Sequence, residues 1–329
     1  MNGSSENEFD SGYLDDLTED EILKSLEENG IKQVIDGLTA LNSNGVTRCG
    51  SRDFKQQDKN IKRSEDPVIV SKQKRLYLIG INRPEKRNAI NDETAALLND
   101  AFDKFENDDD AYAAVLFGKG GNFCSGYDLG QVAKGNFYGI TSDRGPIGPL
   151  RRLLKKPVVA SVSGYAVAGG FELALWCDLR VIEETAVMGF FNRRFGLPLL
   201  NGSTARLPQL IGLSRALDLI LTGRPVHAKE AFEIGIATRI TACGTGLGNA
   251  INLANSLCKF PQESLRTDRM SAYRSTYDMQ SLEEALRLEY ENACSIISSE
   301  SIKGAASFMQ GVGRHGKFHL DNQEENEKT

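Results

Sequence analysis

The chain has 329 residues, of which 40% are apolar and 26% are charged. This composition is typical of a globular protein long enough to bury a sizeable core. Its 39 basic and 45 acidic residues give a net charge of -6, so there is no basic excess of the kind that binds nucleic acid. The three histidines form no HExxH motif and the six cysteines form no CxxC pair, which argues against a zinc site. Six cysteines are also too few for a disulfide framework.

The N-terminal segment, residues 1–66, differs in composition from the rest. It carries fifteen acidic and eight basic residues, a charge of -7. Thr18 and Glu21 form a capping box ahead of an apolar run, which predicts one short helix. We expect an acidic, mostly disordered extension, with a docking peptide as the alternative. No targeting signal is visible, so the expected location is cytoplasmic, with the mitochondrion as the alternative.

From Pro67 onward, the pattern is that of an α/β domain. VIVSKQKRLYLIGI predicts two strands around a polar turn, and a helix follows with Asn91 as its N-cap. Next come a strand in AAVLFGK, a strand in PVVASVSG, a helix in GGFELALWC and a strand in LRVIEE. This alternation predicts a core with parallel strands over residues 67–262. Glu172 and the glycines within Pro157–Cys177 favour a buried strand, turn and helix there over a membrane span.

The C-terminal part has helical periodicity throughout. Apolar spacing predicts helices over 247–260, 263–276, 281–298 and 301–312. Residues 263–329 are therefore expected to form an all-helical region attached to the α/β core.

Two glycine-rich loops are the candidates for chemistry. The first is GKGGNFCSGYDL, residues 118–129, and the second is SGYAVAGGFELA, residues 163–174. In the second loop a strand ends and a helix opens on Gly169, where free backbone N–H groups favour negative charge. One N–H from each loop could form an oxyanion hole, although such turns are also common structural devices.

Four motifs, in order, carry a family resemblance: NRPEKRNAIN at 82–91, FCSGYDL at 123–129, AVAGGFELALWCDLR at 166–180 and LTGRPVHAKEAFEIGIATRI at 221–240. With them the chain resembles the crotonase (enoyl-CoA hydratase/isomerase) superfamily from about residue 67 to 320. The resemblance implies a ββα spiral core, a C-terminal helical trimerisation region, and a homotrimer or dimer of trimers. It also implies an acyl-CoA substrate, with CoA as part of the substrate rather than a separate cofactor.

The resemblance also assigns candidate site residues. The thioester oxygen would be bound by the N–H groups of Ser125 and Gly169, and Glu172 would handle protons. A surface glutamate at a helix N-terminus is the alternative interpretation of Glu172. The residues matched to CoA binding are Arg87, Ala89, Cys124, Gly126, Tyr127, Asp128 and, in the C-terminal tail, Lys317. For Asp128 a purely structural role in the loop is also open, and for Cys124 that of a buried inert thiol.

One position departs from the hydratase pattern. Where hydratases of this family carry a second glutamate, framed here by Gly189 and Gly196, the chain has Asn192. An amide cannot donate and recover a proton as a carboxyl group can. Enoyl-CoA hydratase-like lyase chemistry is the first hypothesis. The alternatives are a CoA-thioester hydrolase, isomerase or decarboxylase using Glu172 alone, or a non-catalytic acyl-CoA-binding homologue. The adjacent Arg193 and Arg194 either solvate a surface loop or clamp a substrate carboxylate.

Overall fold

The computed structural model describes residues 66–135 and 145–313. The strands are β1 (Val68–Gln73), β2 (Leu76–Ile81), β3 (Ala113–Gly118), β4 (Val158–Val162), β5 (Tyr165–Val167), β6 (Leu179–Glu183), β7 (Val187–Gly189), β8 (Val226–His227) and β9 (Arg239–Thr241). The α-helices are α1 (Asp92–Asn107), α2 (Leu129–Ala133), α3 (Gly169–Trp176), α4 (Ser203–Ile211), α5 (Leu213–Thr222), α6 (Ala228–Glu233), α7 (Gly246–Cys258), α8 (Gln262–Tyr277), α9 (Leu282–Ile296) and α10 (Ile302–Met309).

The main sheet has six strands in the order β1-β2-β3-β4-β6-β9. β1 and β2 form an antiparallel hairpin, and every later pair is parallel. The register places Leu78 beside Val115, and Val115 beside Val159. The predicted α/β core with parallel strands is therefore confirmed.

Both faces of this sheet are buried, as parallel sheets require. Because side chains alternate along a strand, Leu76 and Leu78 point to one face and Ile79 and Ile81 to the other. The first pair belongs to a small apolar cluster that α7 covers with Ala250, Leu253 and Ala254. The second pair belongs to the large cluster that includes α1 and α3. The sheet is thus a fixed platform from which the loops after β3 and β5 project.

Helix α1 begins where the sequence predicts. The side chain of Asn91 accepts a hydrogen bond from Thr94 N at 2.9 Å, which satisfies one of the free N–H groups at the helix start. The buried face of α1 carries Phe102, whose ring meets that of Trp176 in α3 edge to face at 5.0 Å. This contact fixes α1 against the far end of the helix that carries Glu172.

A second, smaller sheet has the order β5-β7-β8, with β5 and β7 parallel and β7 and β8 antiparallel. Its strands have only two or three residues, too short for periodicity to reveal them. Our sequence analysis also missed α4 and α5. The glycines that flank α5, Gly212 and Gly223, are boundary signals that could have located it.

The four predicted C-terminal helices are confirmed as α7, α8, α9 and α10, with ends shifted by up to three residues. An ion pair joins α8 to the core, since Arg269 Nε lies 2.7 Å from Asp178 Oδ1. The predicted helix of the N-terminal extension lies outside the described residues, and the proposed domain boundaries stay predictions.

Within residues 66–135 and 145–313, no helix is both long and apolar enough to cross a membrane.

Candidate active site

The two glycine-rich loops touch each other through their backbones. A Cβ atom on Gly126 would lie 2.9 Å from Gly169 N, and one on Gly170 would lie 2.0 Å from Cys124 O. Gly126 also has a φ of +97°, a conformation that side chains disfavour. Only glycine therefore permits this approach, which places the first loop directly against the start of α3.

The first loop is held by strand-like pairing with the chain before α1. Ile90 N donates to Gly126 O, and Asp128 N donates to Ile90 O, both at 2.8 Å. Since N–H groups alternate in direction along an extended chain, the N–H of Tyr127 points away from Ile90. Among the described residues it has no acceptor.

This pairing corrects the expectation for Ser125. Its N–H is already donated to Arg87 O at 3.0 Å, so it is not available to a ligand. The N–H of this loop without an acceptor among the described residues is instead that of Tyr127, two residues further along. The pairing with residues 87–90 decides which N–H is free, and nothing in the loop's own sequence indicates that partner.

In the second loop, the residue predicted to donate is Gly169. Gly169 is the first residue of α3, and within the described chain its N–H has no acceptor. The preceding residue, Ala168, has a φ of +52°, an uncommon conformation for a residue with a side chain. Its own N–H donates to Gly189 O at 2.8 Å, which fixes the turn that aims Gly169 N outward.

Glu172 lies one turn into α3 and is only 3% exposed. Its two carboxylate oxygens accept hydrogen bonds from Asn201: Oε1 from the backbone N at 3.1 Å and Oε2 from the side-chain Nδ2 at 2.8 Å. Burial raises the pKa of Glu172, and the interactions with Asn201 and Ser203 partly oppose that rise. A buried carboxyl group of raised pKa is suited to taking and returning protons, so the alternative of an exposed, helix-stabilising glutamate is wrong.

Asn192 lies in a 3-10 turn, Phe191–Phe195, that packs beside α3. The rings of Phe190 and Phe171 are 4.9 Å apart across this contact. Asn192 is 7% exposed, and its Nδ2 donates to Leu197 O at 2.7 Å. Its Oδ1 is buried without a hydrogen-bond partner. A buried acceptor of this kind is costly unless something donates to it, and a bound water or substrate hydroxyl would do so.

The neighbouring arginines have partners on the protein. Arg193 Nε donates to Ile220 O at 3.2 Å, and the Arg194 guanidinium lies 4.4 Å from the centre of the Phe191 ring. Both residues are exposed. This arrangement favours the surface-loop interpretation over a carboxylate clamp.

The residues matched to CoA binding lie together, apart from Lys317, which is outside the described residues. The pairing of residues 87–90 with 125–128 brings Arg87 and Ala89 alongside the loop that carries Cys124, Gly126, Tyr127 and Asp128.

Within this group, Asp128 and Cys124 have structural environments. Asp128 caps α2 by accepting from Gly130 N at 3.1 Å, and it lies 3.3 Å from Arg83 Nη2. Burial raises the pKa of the Cys124 thiol to about 12, so it is an inert side chain rather than a nucleophile.

Sequence reasoning missed three residues that shape the site: Arg83, Asn88 and Asn201. Asn88 is fully buried with a φ of +57°, and its Nδ2 donates to Lys119 O at 2.9 Å and to Asn122 O at 2.6 Å. It thereby ties the loop after β2 to the loop after β3. An asparagine following arginine in NRPEKRNAIN was a usable signal, because asparagine tolerates the left-handed conformation.

Two touching glycine loops, each with an N–H group that has no acceptor among the described residues, are the arrangement expected of an oxyanion hole. The comparisons with known proteins agree. The enoyl-CoA hydratase/isomerase family matches residues 71–316, and the chain belongs to this family. Its central sheet, helices and helical C-terminal region match the crotonase fold of the solved structures.

Individual relatives carry hydratase names. Enoyl-CoA hydratase EchA19 of Mycobacterium tuberculosis is 35% identical over 197 residues, covering 58% of this chain and 74% of its own. Mevalonyl-coenzyme A hydratase sidH of Aspergillus fumigatus is 32% identical over 213 residues, covering 64% and 78%. A crystal structure of enoyl-CoA hydratase from M. tuberculosis is similar with a TM-score of 0.71 and 32% identity, covering 75% of this chain and 96% of that one.

The burial of Glu172 predicts a pH-dependent effect on stability. Because its folded pKa is raised above the ordinary 4.5, the folded state holds the proton longer than the unfolded state does. The contribution of Glu172 to the free energy of unfolding is fully present below pH 4.5 and is lost as the pH rises through the folded pKa. Glu172→Gln removes the loss, so its melting temperature should rise relative to the unmodified protein as the pH increases.

The measurement is a series of thermal melts of both proteins from about pH 4.5 upward, where each unit of raised pKa corresponds to about 1.4 kcal/mol. Glu283→Gln, at the exposed start of α9, serves as the control for the removal of one carboxyl group elsewhere on the protein. A Glu172→Gln difference that stays constant with pH would contradict a raised pKa.

Proposed function

We propose that the chain is an enoyl-CoA hydratase-like enzyme that polarises acyl-CoA thioesters with the N–H groups of Tyr127 and Gly169. The observation that carries the proposal is the pair of N–H groups without acceptors, on two touching loops, beside the buried Glu172. Hydrogen bonds from these N–H groups stabilise the negative charge that develops on the thioester oxygen when an enolate forms. Each such fixed donor typically contributes ~3–4 kcal/mol to the transition state.

Glu172 is the proposed proton-handling residue. In hydration, water adds across the Cα=Cβ bond, and its proton must leave the oxygen while another reaches Cα. A carboxylate takes the first proton and can return one, and its raised pKa makes it a better base for that exchange. Asn201 supports this role, because it fixes both carboxylate oxygens.

The asparagine at position 192 favours a mechanism that uses one glutamate rather than two. Its buried Oδ1 can accept a hydrogen bond from a water or a substrate hydroxyl, but the amide supplies no proton. This favours an enzyme in which Glu172 acts as the single acid/base. Thioester hydrolysis, isomerisation and decarboxylation are the alternatives that need no second carboxyl group. A non-catalytic acyl-CoA-binding role is disfavoured by the retained Glu172 and free Gly169 N–H.

CoA would lie along the surface formed by Arg87, Ala89 and residues 124–128, as the resemblance implies, and Lys317 stays a prediction. CoA is then part of the substrate, and no separate cofactor is proposed. Ala89 is buried, its N–H donates to Lys86 O and its carbonyl oxygen accepts from Arg83 Nη1, so both of its backbone groups already have partners on the protein.

The direct test of function is turnover by the unmodified protein and by Glu172→Gln. The proteins are incubated with crotonyl-CoA, malonyl-type CoA esters and 3-hydroxyacyl-CoAs, and the products are read as mass changes. We expect turnover of at least one substrate, a loss of ~10²–10⁴-fold in Glu172→Gln, and acyl-CoA affinity within a few fold. Equal turnover by the variant would contradict the assigned role and favour the non-catalytic alternative.

Replacement of Asn192 tests the missing second carboxyl group. If hydration is slow for want of a second acid, Asn192→Glu should raise crotonyl-CoA hydration by one or more orders of magnitude, with ~10²–10⁴-fold as the ceiling. Asn192→Gln is the matched control, because the glutamine side chain has the length of glutamate but no carboxyl proton to donate. The same change with Arg193→Ala or Arg194→Ala shows whether either arginine captures the new carboxylate. No gain in any combination would mean that the native reaction uses no proton donor at this position.

We further propose a homotrimer or a dimer of trimers, assembled through the C-terminal helices. Helix α9 exposes Leu282, Leu286 and Tyr290, spaced by four residues along one face and 74%, 56% and 71% exposed. A row of exposed apolar side chains is typical of a surface that is covered by another chain.

Assembly and folding should not depend on residues 1–66. The main sheet is complete from Val68 onward, so a chain beginning at Pro67 should melt within a few degrees of the full chain and keep its oligomeric mass. Thermal melts and light scattering on both chains are the measurements. A monomer in both cases would contradict the trimer, and aggregation of the shorter chain would show that the extension stabilises the core.

A further inference from the structure

A cavity of about 290 Å³ lies between α8 and the segment that follows the 3-10 turn Pro149–Arg151. It also borders the C-terminal end of α3 and the start of α4. None of the groups proposed to act on the thioester lines it. Five arginines line it: Arg151, Arg152, Arg206, Arg269 and Arg274.

The charges around this cavity do not balance. Only two carboxylates face the five arginines, Asp178 and Asp278. Asp178 is already engaged, because it accepts from Arg269 Nε at 2.7 Å, from Tyr273 OH at 2.9 Å and from Val158 N at 2.8 Å. The formal charge of the lining residues is therefore +3, and Asp103, which pairs with Arg152 from outside the lining, reduces the net charge to +2, so the concave surface has a positive potential.

Three of the arginines have no carboxylate partner among residues 66–135 and 145–313. Arg206 donates only to the carbonyl oxygens of Asn201 and Leu150, both at 2.6 Å. Arg151 donates only to Leu200 O, and the Arg274 guanidinium has no partner among the described residues. Burial lowers the pKa of Arg206, which is the expected result for a cation removed from water without a counter-ion.

A fourth arginine carries an unsatisfied donor. Arg152 Nη1 bonds to Asp103, but its Nε is buried with no hydrogen-bond partner. A buried N–H of a charged group without an acceptor is costly, and an oxyanion in the cavity would remove that cost.

We propose that this cavity binds a small multivalent oxyanion, of the phosphate or polycarboxylate kind. Guanidinium groups bind both through paired N–H···O hydrogen bonds. The volume lies at the lower end of the ~300–1,000 Å³ typical of small-molecule sites, which suits a pyrophosphate or a tricarboxylate rather than a nucleotide-sized cofactor. The site is separate from the proposed catalytic groups, so its test needs no turnover.

The test is calorimetric titration of the full chain with inorganic pyrophosphate and, separately, with citrate, at an ionic strength held constant with sodium chloride. We expect saturable binding of at least one of them with one site per chain. Binding of pyrophosphate alone identifies phosphate chemistry, and binding of citrate alone identifies polycarboxylate chemistry. Saturable binding of neither at millimolar concentration overturns the proposal.

Variants locate the site. Arg274→Gln removes a guanidinium that makes no contact within the described chain, so folding should be unchanged while the dissociation constant rises about tenfold, as expected for a charge-assisted hydrogen bond. Arg151→Gln combined with Arg274→Gln should abolish saturable binding. Arg215→Gln, an exposed arginine on α5 outside the cavity, is the matched control and should bind as the unmodified protein does. If Arg274→Gln binds with unchanged affinity, the proposal is overturned. This single variant decides the question even if the double variant fails to fold.

Discussion

The site depends on one contact, the close approach of two backbones at Gly126, Gly169 and Gly170. A single added Cβ at Gly170 would collide with Cys124 O at 2.0 Å and push the loops apart. That separation would move the two free N–H groups relative to each other, and a pair of donors stabilises one oxygen only when both reach it. The main sheet, the parallel pairing of residues 87–90 with 125–128 and the small second sheet all hold this contact in place.

The burial of Glu172 is the least favourable feature of this site, because it removes a carboxyl group from water. A carboxyl group 3% exposed in an apolar helix loses most of its hydration, which raises its pKa, and the interactions with Asn201 and Ser203 partly oppose that rise. Burial and hydrogen bonding therefore act in opposite directions on the same group.

Much of the fold could be predicted because the same residues that favour a strand or helix locally also pack in the core. The apolar runs of β2, β3 and β4, the cap at Asn91 and the helical spacing of α7 to α10 are each visible in the sequence and each formed in the structure. The short strands β5, β7 and β8 could not be predicted, because they exist only through pairing with one another. Ser125 was misassigned for the same reason, since its N–H is committed to Arg87 O, a partner 38 positions earlier in the chain. Gly169 could be singled out because a helix start is a local feature, whereas Glu172 was assigned through the family resemblance.

Asn201 has a property that a charged residue at its position would lack. A carboxamide has a donor at one end and an acceptor at the other, and the two ends exchange on rotation about a single bond. With Nδ2 towards Oε2, as found, the ionised carboxylate is held. Its Oδ1 is buried without a partner, and a half-turn of the amide would bring it to the same place, where it accepts from a protonated Glu172. One neutral side chain can therefore follow the carboxyl group through both states of a proton-transfer cycle, with no net movement of charge in the surrounding protein.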